Sequence, residues 1–118
     1  MANGNDTIPG NRSVAVGIND SLTVAGDLTV QVGRNAARTV QASETVAVGQ
    51  DLKMLVGKNV VIQASDSLTL KVGSASLTMK KDGTIVIKGK DITLDGSGKI
   101  TAKASGDVVL KGSKIQQN

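Results

Sequence analysis

An eight-residue sequence repeat that recurs along most of the chain restricts its fold more than any other feature. The words VGRNAART (32–39), VGQDLKML (48–55) and VGKNVVIQ (56–63) share Val and Gly at the front and Asn or Asp at the fourth place. When the 118-residue chain is cut in eights from Val16, this register persists nearly to its end. A fixed short period predicts a repeat architecture rather than a globule with varied loops.

The first four places of each octad predict a corner. Gly holds the second place at Gly17, Gly33, Gly49, Gly57, Gly73 and Gly89. Asn or Asp holds the fourth place at Asn19, Asp27, Asn35, Asp51, Asn59, Asp91 and Asp107. Gly permits positive φ, and Asn and Asp tolerate the left-handed region while hydrogen-bonding nearby backbone. We therefore expect each octad to begin with a tight turn.

The other places of the octads alternate between apolar and polar residues, which indicates short half-buried β-strands. Period two puts all apolar side chains of a strand on one face. A helix would need apolar spacing near 3.6 and would not accept Gly and Asn or Asp in every octad. The predicted structural core consists of Val30, Val32, Val46, Val48, Leu52, Val56, Ile62, Leu68, Leu70, Val72, Ile85, Ile87, Ile92, Leu94, Val108 and Leu110.

One shift of phase interrupts this alternation. Leu77 lies one place late relative to Leu70, and the original phase returns at Ile92. A one-residue slip would turn an entire apolar face outward unless a corner absorbs it. We predict a bulge or longer corner near GSAS (73–76), a tight turn at KDGT (81–84) and a short corner near KGK (88–90).

Composition favours a narrow interior. The chain is 39% hydrophobic but contains no Phe, Trp, Tyr, Cys or His. Aromatic rings normally fill wide interiors, so aliphatic side chains alone predict a thin core. Strands of equal length joined by corners of equal length wind into a prism, and the prism can be closed in two ways. One chain coils on itself with three octads per turn, or three identical chains wind together.

The octads and the run SLTMKKDGTIVIKGKDITLDGSGKITAKASGDVVLKGSKI (76–115) resemble the β-helical needle of VgrG, the valine-glycine repeat spike protein of type VI secretion. They are similar to phage tail spike needles as well. The resemblance covers about residues 14–115. It implies an all-β, triple-stranded β-helix, a trimeric β-prism of octapeptide repeats. Residues 14–118 would form the needle domain, and residues 1–13 a flexible lead-in or the junction to a missing hub domain.

The resemblance also implies a function, which is that of a structural, cell-puncturing needle that penetrates target membranes and carries effectors or a tip protein. The implied partners are two further copies in a homotrimer, a tip protein or effector at the C-terminal end around Lys114 and Ile115, the tube protein through the missing hub, and a transiently contacted target membrane. The protein would be assembled in the bacterial cytoplasm and then secreted or injected. We find no signal peptide. Because the chain has no His, the histidine-ligated iron tip of some relatives is not expected.

Two charged residues interrupt the apolar stripe. Arg38 stands where Val30 and Val46 stand in their octads, and Glu44 stands where Leu52 does. Three copies of each near a trimer axis predict a buried ionic layer that fixes the alignment of the chains or traps an ion. The alternative left open is a local bulge that turns both side chains to solvent.

The residue inventory argues against several other functions. Without His, Cys or Tyr, and with the acids scattered over octad corners, the sequence predicts no enzyme and no metal or cofactor site. Residues 80–118 hold eight Lys and four Asp, which we interpret as a solvated face that blunts edge pairing; the alternative left open is attraction to an anionic surface or partner. No aromatic platform accompanies these Lys residues, so nucleic-acid binding is not expected. The alternative function is a single-chain β-solenoid acting as an adhesin or surface-binding protein.

Overall fold

The computed structural model describes residues 3–118 and is built from strands, bends and turns, with no helix in that part of the chain. Strand β1 spans Ser67–Val72, β2 spans Ala75–Lys80 and β3 spans Ile85–Lys88. The chain divides into two units, of which the first ends at Asp51 and the second is Leu52–Asn118. These elements confirm the predicted all-β class. Residues 1 and 2 of the predicted lead-in lie outside the described residues, and its boundary at residue 14 stays a prediction.

The backbone bends at regular intervals in both units. In the first unit the bends lie at residues 9–10, 17–18, 25–26, 33–34, 41–42 and 49–50. In the second unit they lie at residues 57–58 and 65–66 and, after the sheet, at 90–91, 97–98, 105–106 and 113. From residue 17 to residue 66, each bend falls on the second and third places of an octad. The predicted corners are therefore confirmed in place and spacing.

The corners do not use left-handed backbone, contrary to the expectation from Gly, Asn and Asp. Within residues 3–118, positive φ occurs only at Gly73 and Gly83. A Cβ added at Gly33, Gly49 or Gly57 would meet no atom within 4 Å. Apart from Gly73, whose positive φ requires Gly, neither backbone conformation nor crowding explains the second-place Gly at Gly17, Gly33, Gly49 and Gly57.

The phase shift near residue 73 is a reversal of chain direction. Strands β1 and β2 pair antiparallel across a two-residue turn, with Val72 opposite Ala75. Gly73, the first residue of this turn, has a φ of 54°, which Gly adopts easily. Directly opposed residues share a face of the sheet. The turn therefore places the apolar residues at even positions of β1 on the same face as the apolar residues at odd positions of β2. The predicted bulge or longer corner near residues 73–76 is wrong, since a two-residue hairpin turn absorbs the slip.

The predicted KDGT turn is confirmed. The Gly83 amide donates to the Lys80 carbonyl at 3.0 Å, and the Lys80 amide donates to the Thr84 carbonyl at 2.9 Å. Gly83 has a φ of 92°, as expected for the residue that follows a type I turn in a three-residue hairpin loop. The sheet order is β1-β2-β3, so β2 lies in the middle.

The octads outside the sheet have no strand partner. In the described part of the chain the single sheet is β1-β2-β3, and the other backbone hydrogen bonds lie within residues 66–84. A solenoid would pair each octad with a neighbouring coil of the same chain. Among residues 3–118 neither unit contains such a ladder, so no single-chain closure is present within either unit. Of the predicted run of strands, only β1, β2 and β3 form in the described residues, because the other octads have no strand to pair with.

Candidate functional site

The candidate functional surface is the aliphatic stripe, by which we mean the apolar residues at the first, fifth and seventh places of the octads. None of residues 3–118 is buried, and of the predicted core residues only Leu68 is even half-buried. Burying one Val, Leu or Ile side chain contributes about 1.5–3 kcal/mol, so a whole stripe left in water is a large unused source of stability. The predicted core does not form within one chain, and its burial between chains stays a prediction.

The stripe differs from the opposite side of the octads. Val56 and Ile62 lie on the stripe and are 52% and 65% exposed, whereas their neighbours Leu55 and Val61 lie on the other side and are 93% and 84% exposed. Between residues 55 and 62 the stripe is therefore the more sheltered side of the backbone. An assembly that covers the stripe would leave Leu55 and Val61 in water.

The sheet gathers further aliphatic side chains on one face. The paired residues on this face are Leu68 with Met79, Leu70 with Leu77, Leu77 with Ile87, and Met79 with Ile85. An open groove of about 400 Å³ along it includes Leu70, Leu77, Ile87 and Ile92 in its lining. The other face carries mostly Ser, Thr and Lys. An amphipathic sheet of this kind packs its apolar face against a further layer.

The structure brings Arg38 and Glu44 together. Arg38 Nε lies 2.7 Å from Glu44 Oε1, and the two side chains are 77% and 38% exposed. The bend at residues 41–42 separates them, so the ion pair closes across one corner of a single chain. The sequence placed both residues on the apolar stripe but did not predict that they bind each other. Their burial in an ionic layer is not tested by one chain.

The turn between β2 and β3 contains a titratable group that sequence reasoning missed. The Thr84 amide donates to Asp82 Oδ1 at 3.0 Å. This bond, together with a second from the Thr84 side chain, lowers the pKa of Asp82, because both favour the ionised carboxylate. The signal in the sequence is the two-residue spacing within DGT, which allows Asp to bind the backbone beyond it.

A second ion pair joins the start of β1 to the end of β2. Lys81 Nζ lies 3.9 Å from Asp66 Oδ1, and the Lys81 amide donates to the Asp66 carbonyl at 2.9 Å. Both side chains are well exposed. This pair is not predictable from the residue pattern, because its two residues meet only once the hairpin places Ser67 opposite Lys80.

The remaining predicted site is the tip contact at Lys114 and Ile115. Both residues are exposed in the second unit, and the structure does not test whether a partner binds there. A helix long and apolar enough to span a bilayer does not occur between residues 3 and 118. The same residues contain no group of three side chains placed to hold a metal ion.

Comparison with known proteins gives two similarities. The profile of a family described as the bacteriophage T4 gp5 C-terminal trimerisation domain matches residues 2–82, which is more than half of the chain. The chain is also 76% identical over 50 residues to the type VI secretion system spike protein VgrG1b of Pseudomonas aeruginosa. This second alignment covers 42% of the chain and 7% of the relative, so the chain spans only a small part of that relative's length.

Proposed function

Because the chain belongs to the family of the bacteriophage T4 gp5 C-terminal trimerisation domain, we propose that it forms the homotrimeric puncturing needle of a type VI secretion spike. Family membership and the similarity to a VgrG spike protein confirm the resemblance seen in the octads. In this function three copies wind around a common axis with their aliphatic stripes facing inward. The needle acts mechanically as it passes through a target membrane, and it catalyses no reaction.

The exposure of the whole aliphatic stripe carries this proposal. A chain in which no residue between 3 and 118 is buried has no core of its own. Extended apolar surface on a protein marks a contact with another molecule. Two further copies would cover the stripe. They would also supply strand neighbours for the octads that precede and follow the sheet in the chain. The name of the family supports copies of the same chain as these neighbours.

The eight-residue spacing of the bends suits a stiff needle. Equal octads give equal faces, and each octad can hydrogen-bond to octads of the other two chains along the axis. Neighbouring strands in such ladders lie about 4.8 Å apart. Bending the assembly would break several ladders at once, and the closed prism leaves free strand edges only at its ends. These properties allow it to transmit an axial push.

Further partners belong to the same proposal. We place a tip protein or an effector at the end that contains Lys114 and Ile115, where Ile115 offers an exposed aliphatic side chain. A hub would precede the needle and connect it to the secreted tube. The needle would leave the producing bacterium and enter the target cell, with transient membrane contact along the Lys-rich residues 80–118.

Molar mass in solution tests the assembly. With a chain mass of 12.0 kDa, static light scattering should give about 36 kDa for three copies. The circular dichroism of the same sample should show β-structure. A well-structured species of 12 kDa would contradict the proposed trimer.

Secretion tests the role in the spike. The segment of the Pseudomonas spike protein that matches this chain can be replaced by the chain, and the secretion of the chimera and its killing of target bacteria can be measured. We expect both activities to be retained, and to be lost when the grafted chain carries Leu52→Asp on its stripe. The matched control is Leu55→Asp on the exposed side. A chimera that works equally well with Leu52→Asp would refute the proposed role.

A further inference from the structure

The Arg38–Glu44 pair occupies two places that are apolar at most other corners, the exception being Asp20 at the fifth place of the first octad. Arg38 holds the seventh place of its octad, and Glu44 holds the fifth place of the next one. The corresponding residues on either side of other corners are Leu22 with Leu28, Val30 with Ala36, Val46 with Leu52, and Met54 with Val60. Arg38 and Glu44 therefore replace an aliphatic pair on the stripe and are not part of the polar side of the octads.

The contact itself satisfies both charges within one chain. Arg38 Nε and Glu44 Oε1 are 2.7 Å apart, the distance of a strong charge-assisted hydrogen bond. The corner at residues 41–42 brings the two side chains together before any other chain is present. Since Val40 and Val46 on the same stripe are also exposed, exposure in the single chain does not indicate that the pair faces solvent in an assembly.

We propose that three Arg38–Glu44 pairs form a closed, neutral layer inside the trimer, and that this layer sets the alignment of the three chains. The inference rests on the proposed trimer and identifies its partner surface as the same layer of two further copies. Three arginines and three glutamates carry no net charge, so the layer requires no trapped ion. Of the two predicted roles, we therefore choose alignment of the chains over ion trapping.

Alignment needs such a marker because the octads that precede the sheet resemble one another. A chain displaced by one octad would still place Val, Leu or Met against Val, Leu or Met almost everywhere along the stripe. At the level of Arg38 and Glu44, however, the displaced chain would set an ion pair against aliphatic side chains. A single polar position in an apolar interface is an effective way to fix alignment, at some loss of stability.

Removal of one charge tests whether the pair is interior. The variants are Arg38→Val, Glu44→Leu and the double variant R38V/E44L, which introduce the residues found at the same places in other octads. We expect each single variant to raise the chain concentration at which half the chains are trimeric by at least about a hundredfold, because an unpaired charge would remain inside. The double variant should return to within about tenfold of wild type or assemble more tightly. Sedimentation equilibrium measures all four proteins.

The exposed pair Lys81–Asp66 provides the matched control. Lys81→Ala and Asp66→Ala should each change the half-trimer concentration by less than about fivefold, because exposed ion pairs contribute little. If Arg38→Val and Glu44→Leu behave like these controls, the pair faces solvent and the inference is wrong, although the trimer stands. If a single variant yields no folded protein, the double variant decides, and its failure to trimerise would also overturn the inference. A monomeric wild type would instead refute the proposed function itself.

Mixing tests the alignment role separately. Wild-type chains and R38V/E44L chains with tags of different mass are unfolded together, refolded and examined by native mass spectrometry. We expect mainly trimers that contain only wild-type chains or only double-variant chains, whereas two differently tagged wild-type chains should mix at random. Random mixing of wild-type and double-variant chains would show that the pairs do not select matching layers.

Discussion

The Asp82 carboxylate links the turn between β2 and β3 to pH. The Thr84 amide binds Asp82 Oδ1 and lowers the pKa of Asp82 in the folded chain. Since the folded pKa lies below the unfolded one, ionised Asp82 stabilises the turn at pH values above about 4. This contribution is lost as the pH falls through the lowered pKa.

Asp82→Asn should make the turn insensitive to acid. The amide oxygen of Asn can still accept the Thr84 amide but does not titrate. In wild type, nuclear magnetic resonance should show the Asp82 carboxyl signal and the Thr84 amide signal titrating together, with a midpoint below that of an ordinary aspartate. In the variant the Thr84 amide signal should stay constant over the same range. A wild-type Thr84 signal that does not respond to acid would contradict the hydrogen bond.

At the scale of elements, the sheet depends on two turns that each need one glycine with positive φ. Gly73 begins the turn between β1 and β2, and Gly83 ends the loop between β2 and β3. Together these turns place β2 between its two neighbours and collect the aliphatic residues on one face. The sheet is thus the part of the chain whose hydrogen-bond ladder closes without a second copy.

Gly83→Ala should destabilise the β2–β3 hairpin by about 1 kcal/mol or more, because an L-residue with a Cβ disfavours left-handed backbone. Ser74→Ala is the control, since Ser74 also lies in a turn but has no positive φ. Hydrogen exchange of the amides in β2 and β3 measures the local effect. Similar exchange in the two variants would argue against the left-handed conformation of Gly83.

The corners and the sheet show how far the sequence predicts this fold. The bend spacing was predictable because small residues recur at fixed places, and KDGT is a strong local turn signal. The hairpin at Gly73 was not predicted, because a phase slip alone does not distinguish a bulge from a reversal. At the candidate site, Arg38 and Glu44 were identified because they break the alternation. Their contact, like that of Lys81 with Asp66, depends on how corners and strands bring residues together.

At the scale of the whole molecule, the proposed trimer makes folding and assembly one event. An exposed stripe gains its burial energy only when other chains cover it, so the apparent stability should rise with protein concentration. Strands from three chains must also separate together on unfolding. We therefore expect the midpoint of thermal unfolding to increase with each tenfold rise in chain concentration, as measured by circular dichroism. A midpoint independent of concentration would indicate that a single chain folds alone.

Leu52 and Leu55 offer the sharpest test of which surface the chains share. Leu52 lies on the stripe and is 65% exposed, whereas Leu55 lies on the other side and is 93% exposed. Leu52→Asp would place three carboxylates close to the trimer axis, where each unpaired charge costs several kcal/mol, so we expect monomeric chains. Leu55→Asp would lie in water and should leave the 36 kDa species intact, by the chain mass of 12.0 kDa. Sedimentation velocity compares the two, and equal behaviour of the variants would mean that the stripe is not where the chains meet.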